Sequence, residues 1–509
     1  MSITAAPAQT LSTPQTTLSQ TTLIPVAITR GDGIGPEIME ATLRVLAAAG
    51  APIAPLEVRM GEAVYKEGHT SGLAPDAWDV LERTGVLLKA PITTPQGGGY
   101  KSLNVTLRKT LGLYANVRPC RAYAPYVATH HPKMDVVIIR ENEEDLYAGI
   151  EHRQTREVIQ CLKLITQGGC ERIVRYAFEY ARQQNRRKVT ALSKDNIMKL
   201  TDGLFHRTFD EISAEYPDIK AEHQIIDIGM ARMATQPEAY DVIVTLNLYG
   251  DILSDVAAEV AGSVGLAGSA NIGQHFAMFE AIHGSAPDIA GQNIANPSGL
   301  LQSAVLMLEY LGQPDIARRI SNAWLRTLED GLHTRDIASD QTRQVTGTRE
   351  FADAVIERLG QEPQHLSAAP SREAAAQPQR TAQPQHTTPP AESPAAPIAK
   401  QLVGTDVFFE WSEPGRDPEA LARVLQSAQL ERMPLRMITN RGVKVWPQGH
   451  PHTSKSDHWR CRFLSDGPIV HADVLELLAS IHATQLDFIK TEHLYTFDGV
   501  PGYTLGQGQ

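Results

Sequence analysis

Between residues 361 and 400 the chain consists mostly of Pro, Ala, Gln, Ser and Thr, with almost no large apolar side chain. Such a stretch cannot bury enough surface to offset the entropy lost on ordering it. It therefore reads as a flexible, partly polyproline linker. A linker there forces the 509 residues into units with separate cores, in keeping with about 100–200 residues per domain. The expected organisation is a Ser/Thr/Gln-rich disordered tail over 1–22, a large unit over 23–360, the linker over 361–400, and a small module over 401–509.

The large unit alternates strand and helix signals. Residues 24–29 are apolar and β-prone, and Gly31-Asp32-Gly33-Ile34-Gly35-Pro36 then turns into a helix, with Pro36 in the first turn. The glycines are spaced G-x-G-x-G, so the dinucleotide fingerprint G-x-G-x-x-G is not met. Further strands are expected at 86–88, 135–139, 189–192 and 242–246. Helices are expected over 170–184, 196–216, 251–264 (ended by Gly265) and 297–311. This order predicts an α/β fold. Past the linker, strands at 403–411 and 459–464, a hairpin turning at Asn440-Arg441-Gly442, and helices at 418–428 and 470–483 predict a small α+β module. One face of its sheet would carry both helices. Its histidines are irregularly spaced and read as surface groups, not metal ligands.

Composition narrows the function classes. Lys and Arg number 47 against 58 Asp and Glu, a formal net charge of −11. This balance argues against a nucleic-acid footprint or an anionic membrane surface. No apolar run reaches the ~20 residues of a membrane span. No charged residue precedes Arg30, so neither a secretory nor a transit signal is expected. Cys120, Cys161, Cys170 and Cys461 are scattered without metal-type spacing and read as reduced thiols of a cytoplasmic protein.

Four segments carry chemistry. Ser102, Asn104, Arg108 and Arg118 lie within a short stretch, and Arg140 follows in Ile139-Arg140-Glu141-Asn142. Guanidinium groups grip carboxylates with paired hydrogen bonds, and short polar side chains orient them. Three converging Arg would suit a trianionic ligand; a solvated basic face is the ordinary alternative. Asp251 and Asp255 stand i and i+4 at a helix start, so both carboxylates share one face. An oxygen-only pair suits Mg2+ or Mn2+, while a helix-dipole role would explain Asp251 alone. Tyr147 and Lys194 are candidate proton carriers once their surroundings tune them. His283-Gly284-Ser285-Ala286-Pro287-Asp288-Ile289-Ala290-Gly291, with Asn296-Pro297, is a Gly/Pro-rich loop suited to close backbone approach to a ligand.

These segments, in this order, resemble the decarboxylating dehydrogenases of isocitrate, isopropylmalate and homoisocitrate. The resemblance covers about 24–359, and Ser102-Leu103-Asn104-Val105 is of the isocitrate type. Residues past the linker, including Ile438-Thr439-Asn440-Arg441-Gly442, resemble the extra C-terminal domain of the longer bacterial isocitrate dehydrogenases. The resemblance implies a doubly wound sheet, a second discontinuous domain with a clasp, and the small α+β domain. It further implies that Ser102, Asn104, Arg108, Arg118 and Arg140 hold substrate carboxylates. Asp227, Asp251 and Asp255 would hold Mg2+ or Mn2+, and Tyr147 and Lys194 would handle protons. Thr94, His283, Gly284, Ala286, Asp288, Ile289 and Asn296 would contact the dinucleotide. Lys194 and one Asp would come from a second subunit, implying a homodimer or larger homo-oligomer with shared sites.

The expected reaction is oxidative decarboxylation of isocitrate to 2-oxoglutarate. The alternatives are a homoisocitrate or isopropylmalate-type substrate and, less favoured, a non-catalytic regulatory subunit. The expected cofactor is NAD. Members of the family that use NADP carry Lys-Tyr where this chain has Asp288-Ile289, and a carboxylate there would repel a 2′-phosphate by about 1–4 kcal/mol at 4 Å. The stretch 336–342 also lacks the Tyr and Arg of NADP users, and aromatic Tyr249 precedes Gly250-Asp251 as in NAD users.

Overall fold

The computed structural model describes residues 23–93, 102–371 and 398–506. Besides the short pair Leu332–His333 and Gln344–Val345, the described residues of the large unit hold twelve strands: β1 (Ile24–Thr29), β2 (Ile53–Glu57), β3 (Val86–Lys89), β4 (Ala115–Arg121), β5 (Asp135–Glu141), β6 (Glu151–Arg153), β7 (Ile159–Cys161), β8 (Lys188–Ser193), β9 (Lys220–Ile225), β10 (Val242–Thr245), β11 (Gly268–Ile272) and β12 (Ala277–Ala281). Ten of them form one sheet in the order β2-β1-β3-β12-β11-β4-β5-β10-β8-β9. The pairs β11/β12, β4/β11 and β4/β5 are antiparallel and the others parallel. The fold is the expected α/β sheet, with a mixed centre.

Side-chain alternation explains why helices cover both faces. On β5, Val137 and Ile139 enter one core while Val136 and Ile138 enter another. On β3, Val86 and Leu88 face the first core and Leu87 a third. A strand buried on both faces reads as a continuous apolar run, which is what these strands show. The other two, β6 and β7, pair with each other as a separate exposed ribbon.

Two helices differ from expectation. The helix expected over 251–264 runs Asn247–Ala261, so Asp251 lies in its second turn and not at its positive end. It stops at Gly262, whose φ of 141° few other residues adopt. The helix expected from 196 starts at Thr201, because residues 195–200 form turns.

The C-terminal residues build a six-stranded sheet around the long strands Lys400–Glu410 and Asp487–Phe497. Val407, Phe409, Cys461 and Phe463 face the helices Pro418–Ala428 and His471–Ala483, as the α+β reading anticipates. This unit touches the β6–β7 ribbon through polar groups. Thr155 Oγ1 donates to Asp457 Oδ1 (2.5 Å), and Lys490 Nζ donates to Gln160 Oε1 (2.9 Å). No helix among the described residues is long and apolar enough to cross a membrane.

Candidate active site

Strand register brings the expected arginines together. Asn116 and Arg118 alternate on β4 and share a face, and Arg140 on β5 stands opposite Asn116. The helix Asn247–Ala261 crosses that face. It comes so close at Gly250 that a Cβ there would lie 2.6 Å from Arg140 Cγ. The i, i+4 spacing then points Asp251 and Asp255 at the guanidinium groups. Arg140 pairs with Asp251 and also donates from Nε to Asn247 Oδ1 at 3.0 Å. Arg118 donates to Ser254 Oγ (2.6 Å) and Asp255 Oδ1 (3.3 Å). Tyr147, on a short turn after β5, donates its hydroxyl to Asp251.

Arg118, Tyr147, Asp251 and Asp255 border a cavity of about 270 Å3, whose other walls include Ser102, Asn104, Arg108, His283 and Gly284. Arg140 stands behind Asp251. The back wall holds a charge pair that the sequence reading did not select. Lys89 ends β3 directly opposite Glu280 of β12. Lys89 Nζ lies 2.7 Å from Glu280, and Arg108 Nη2 donates to the same carboxylate at 2.9 Å. A charged residue inside each of the apolar strands Val-Leu-Leu-Lys and Ala-Met-Phe-Glu-Ala was the available signal.

Burial alone would raise Glu280, but Lys89 and Arg108 hold it well below the ordinary carboxylate range. Burial also favours neutral Asp251, yet Arg140 and Arg118 overcome this and keep it ionised. Asp255 is raised, by burial and by its neighbour Asp251. Two carboxylates in this position favour a cation between them. Burial raises the Tyr147 phenol and Arg140 only partly offsets it, so the hydroxyl keeps its proton. Burial lowers His283, leaving a neutral imidazole. Asn104 Oδ1, Arg108 Nε and His283 Nε2 are buried and have no partner among the described residues. Unmet polar atoms on one cavity mark where a ligand belongs.

Other expected residues lie elsewhere. Lys194 and Asp227 bond each other at 3.0 Å, and neither lines the cavity. Asp227 is 68% exposed. Asn296 spends its amide on Asp336 (2.9 Å) and its carbonyl on the Ser298 N–H. Ala286, Asp288 and Ile289 follow Ser285, whose carbonyl accepts from Ile34 N at 2.9 Å. That contact seats the loop on the glycine turn: a Cβ on Gly33 would lie 1.9 Å from the Ser285 oxygen. Thr94 lies outside the described residues.

Comparison with known proteins defines the class. A model of the isocitrate/isopropylmalate dehydrogenase family matches residues 25–355, and one of the bacterial isocitrate dehydrogenase C-terminal domain matches 400–509. The chain belongs to the isocitrate/isopropylmalate dehydrogenase family. It is 54% identical over 488 residues to a Rickettsia felis protein, covering 95% of this chain and 99% of the relative. It is 44% identical over 492 residues to a Thermus thermophilus protein, covering 95% and 96%. Both carry the name isocitrate dehydrogenase (NADP). A crystal structure of a Thermus thermophilus protein superposes with a TM-score of 0.86 at 43% identity, covering 95% of this chain and 96% of that one.

These names overturn the expectation of NAD. The structure shows why its signals were weak. Asp288 is exposed on a short turn, where water screens its repulsion of a phosphate towards the low end of the assumed range. Exposed Arg335 adjoins Asp336, the partner of Asn296, so positive charge stands beside the segment read as lacking it. Tyr249 is occupied elsewhere: its hydroxyl donates to Asp202 (3.1 Å) and Lys163 lies over its ring.

Proposed function

We propose that this chain oxidises and decarboxylates isocitrate to 2-oxoglutarate and CO2, with NADP as hydride acceptor. The observation that carries this reading is the charge of the cavity wall and of the arginine behind it. Lys89, Arg108, Arg118 and Arg140 outnumber Asp251, Asp255 and Glu280 by one. A divalent cation on the two aspartates would bring this set to a net charge of +3, which balances a trianion.

In this reading Arg108, Arg118 and Arg140 take the carboxylates, and Ser102 and Asn104 orient them. The donor set fits Mg2+ or Mn2+, because only carboxylate oxygens face the site from Asp251 and Asp255. When bound, such an ion would polarise the oxygen on substrate C2, and the dinucleotide would accept the hydride. The C2 hydroxyl gives its proton to the neutral amine form of Lys194 as hydride leaves, and the C3 carboxylate departs as CO2. Tyr147, which holds its proton at neutral pH, then protonates C3. Lys194 and Asp227 stand apart from this cavity, so they complete the site of a second copy of the chain. Exposed Ile228 and Ile252 on neighbouring helices offer an apolar contact for that dimer. The domain division 23–360 and 401–509, His283 and Gly284 as dinucleotide contacts, and a cytoplasmic setting belong to the same proposal.

The test is initial rates with isocitrate and Mg2+, with NADP and NAD compared and 2-oxoglutarate quantified. Turnover with NADP supports the reading. No 2-oxoglutarate with either nucleotide refutes it.

A further inference from the structure

The unit that carries Lys194 holds a second cluster of ligating side chains, outside the cavity. Asp195 follows Lys194 just past β8, His206 sits on the helix Thr201–Ser213, and His223 lies on β9. His206 Nδ1 is 2.7 Å from Asp195 Oδ2, and His223 Nε2 is 2.8 Å from Ser193 Oγ. The two imidazoles stack with centroids 3.5 Å apart. One ligating atom from each of Asp195, His206 and His223 lies within 4.8 Å of the others. Asp210 Oδ2 stands 3.6 Å from the outer nitrogen of His206.

We propose that Asp195, His206 and His223 form a binding site for a Zn2+-class transition-metal ion, separate from the all-oxygen pair Asp251 and Asp255. Imidazole nitrogens select Zn2+, Ni2+ or Co2+ over Mg2+, which prefers oxygen. Tetrahedral Zn2+ with bonds of about 2.0–2.2 Å holds its ligands about 3.3 Å apart. The three atoms, all within 4.8 Å of one another, exceed that spacing by about 1.5 Å at most, and side-chain torsions suffice to close it. The rings must turn out of their parallel stack so that one ion lies in both ring planes. Two surrounding features favour this. Burial, with His206 beside it, lowers the proton affinity of His223 and leaves a lone pair available. Asp210 is placed to accept from the other nitrogen of a metal-bound His206, the usual carboxylate–histidine support of a metal. An ion held there would also fix the turn that presents Lys194.

The experiment is Zn2+ titration calorimetry on the full chain in a large excess of Mg2+. It is run on the wild type, on Asp255→Asn, and on His206→Gln and His223→Gln, each checked for folding by circular dichroism. The expected result is one Zn2+ per chain in the wild type and in Asp255→Asn, with affinity at least about tenfold weaker in each histidine variant. Co2+ in place of Zn2+ should give tetrahedral visible bands that His206→Gln abolishes. If His223→Gln does not fold, His206→Gln decides alone, since its side chain is on a part-exposed helix face. Failure to bind Zn2+ against excess Mg2+ would overturn the proposal, leaving a hydrogen-bonded histidine stack. So would an affinity unchanged by His206→Gln.

Discussion

Arg462 in the C-terminal sheet and Arg108 beside the cavity are both buried, at 1% and 8% exposure, yet their nitrogens are used differently. Arg462 gives Nε and Nη2 to the two oxygens of Asp406, each at 2.8 Å, and Nη1 to the Thr504 carbonyl. Tyr503 covers its plane. Arg108 gives Nη2 to Glu280 and leaves Nε without a partner among the described residues. The first arrangement is closed: charge and hydrogen bonds are met within the fold. The second is open, with surplus positive charge and unmet donors directed at a cavity. A closed pair serves conformation, and an open one awaits a ligand. This contrast supports placing the proposed chemistry on the large sheet, at the open arginine.

Substitutions on the two sides should separate activity from stability. The largest expected effect is on the open side. Tyr147→Phe removes the proposed C3 proton donor, so kcat should fall by about 10²–10⁴-fold while the melting temperature barely moves; stopped-flow and calorimetry read the two. On the closed side, Asp406→Ala strands a buried guanidinium. It should cost about 3–5 kcal/mol in chemical denaturation, with turnover per folded molecule unchanged. A matching loss of kcat would break the contrast.

Glu280 joins the two kinds of behaviour. Its folded pKa is depressed, so ionised Glu280 adds stability above the ordinary carboxylate value of 4.5. That contribution is lost as pH falls through the lower folded value. Acid unfolding of Glu280→Gln should therefore be less steep below about pH 4.5 than that of the wild type. In the same variant, freeing Arg108 should raise KM for isocitrate about tenfold, near 1.4 kcal/mol. The smallest effect is expected where the two units touch. Asp457→Ala removes the Thr155 bond, should cost about 1 kcal/mol, and should leave kcat alone.

Much of this was legible in the chain. Apolar runs and glycine turns announce an alternating α/β order, and the break after residue 360 separates the C-terminal sheet. The spacing of Arg108, Arg118, Arg140, Asp251 and Asp255 suggests a carboxylate site with a cation, and the structure brings Arg108, Arg118, Asp251 and Asp255 to one cavity with Arg140 paired to Asp251. What stayed hidden depends on strand order and on charges meeting across it. Lys89 and Glu280 are 191 positions apart and meet only because β3 pairs with β12. His206 and His223 meet because one helix packs back on β9. The nucleotide preference failed because its signals were local: Asp288 is exposed to water, and Tyr249 is engaged by Asp202 and Lys163.

The most direct test of the account is the ratio of kcat/KM for isocitrate to that for 3-isopropylmalate, both with NADP and Mg2+. An open site built to pair a third carboxylate should favour isocitrate by on the order of 10⁴-fold. Equal use of the two substrates, or preference for the alkyl one, would contradict it.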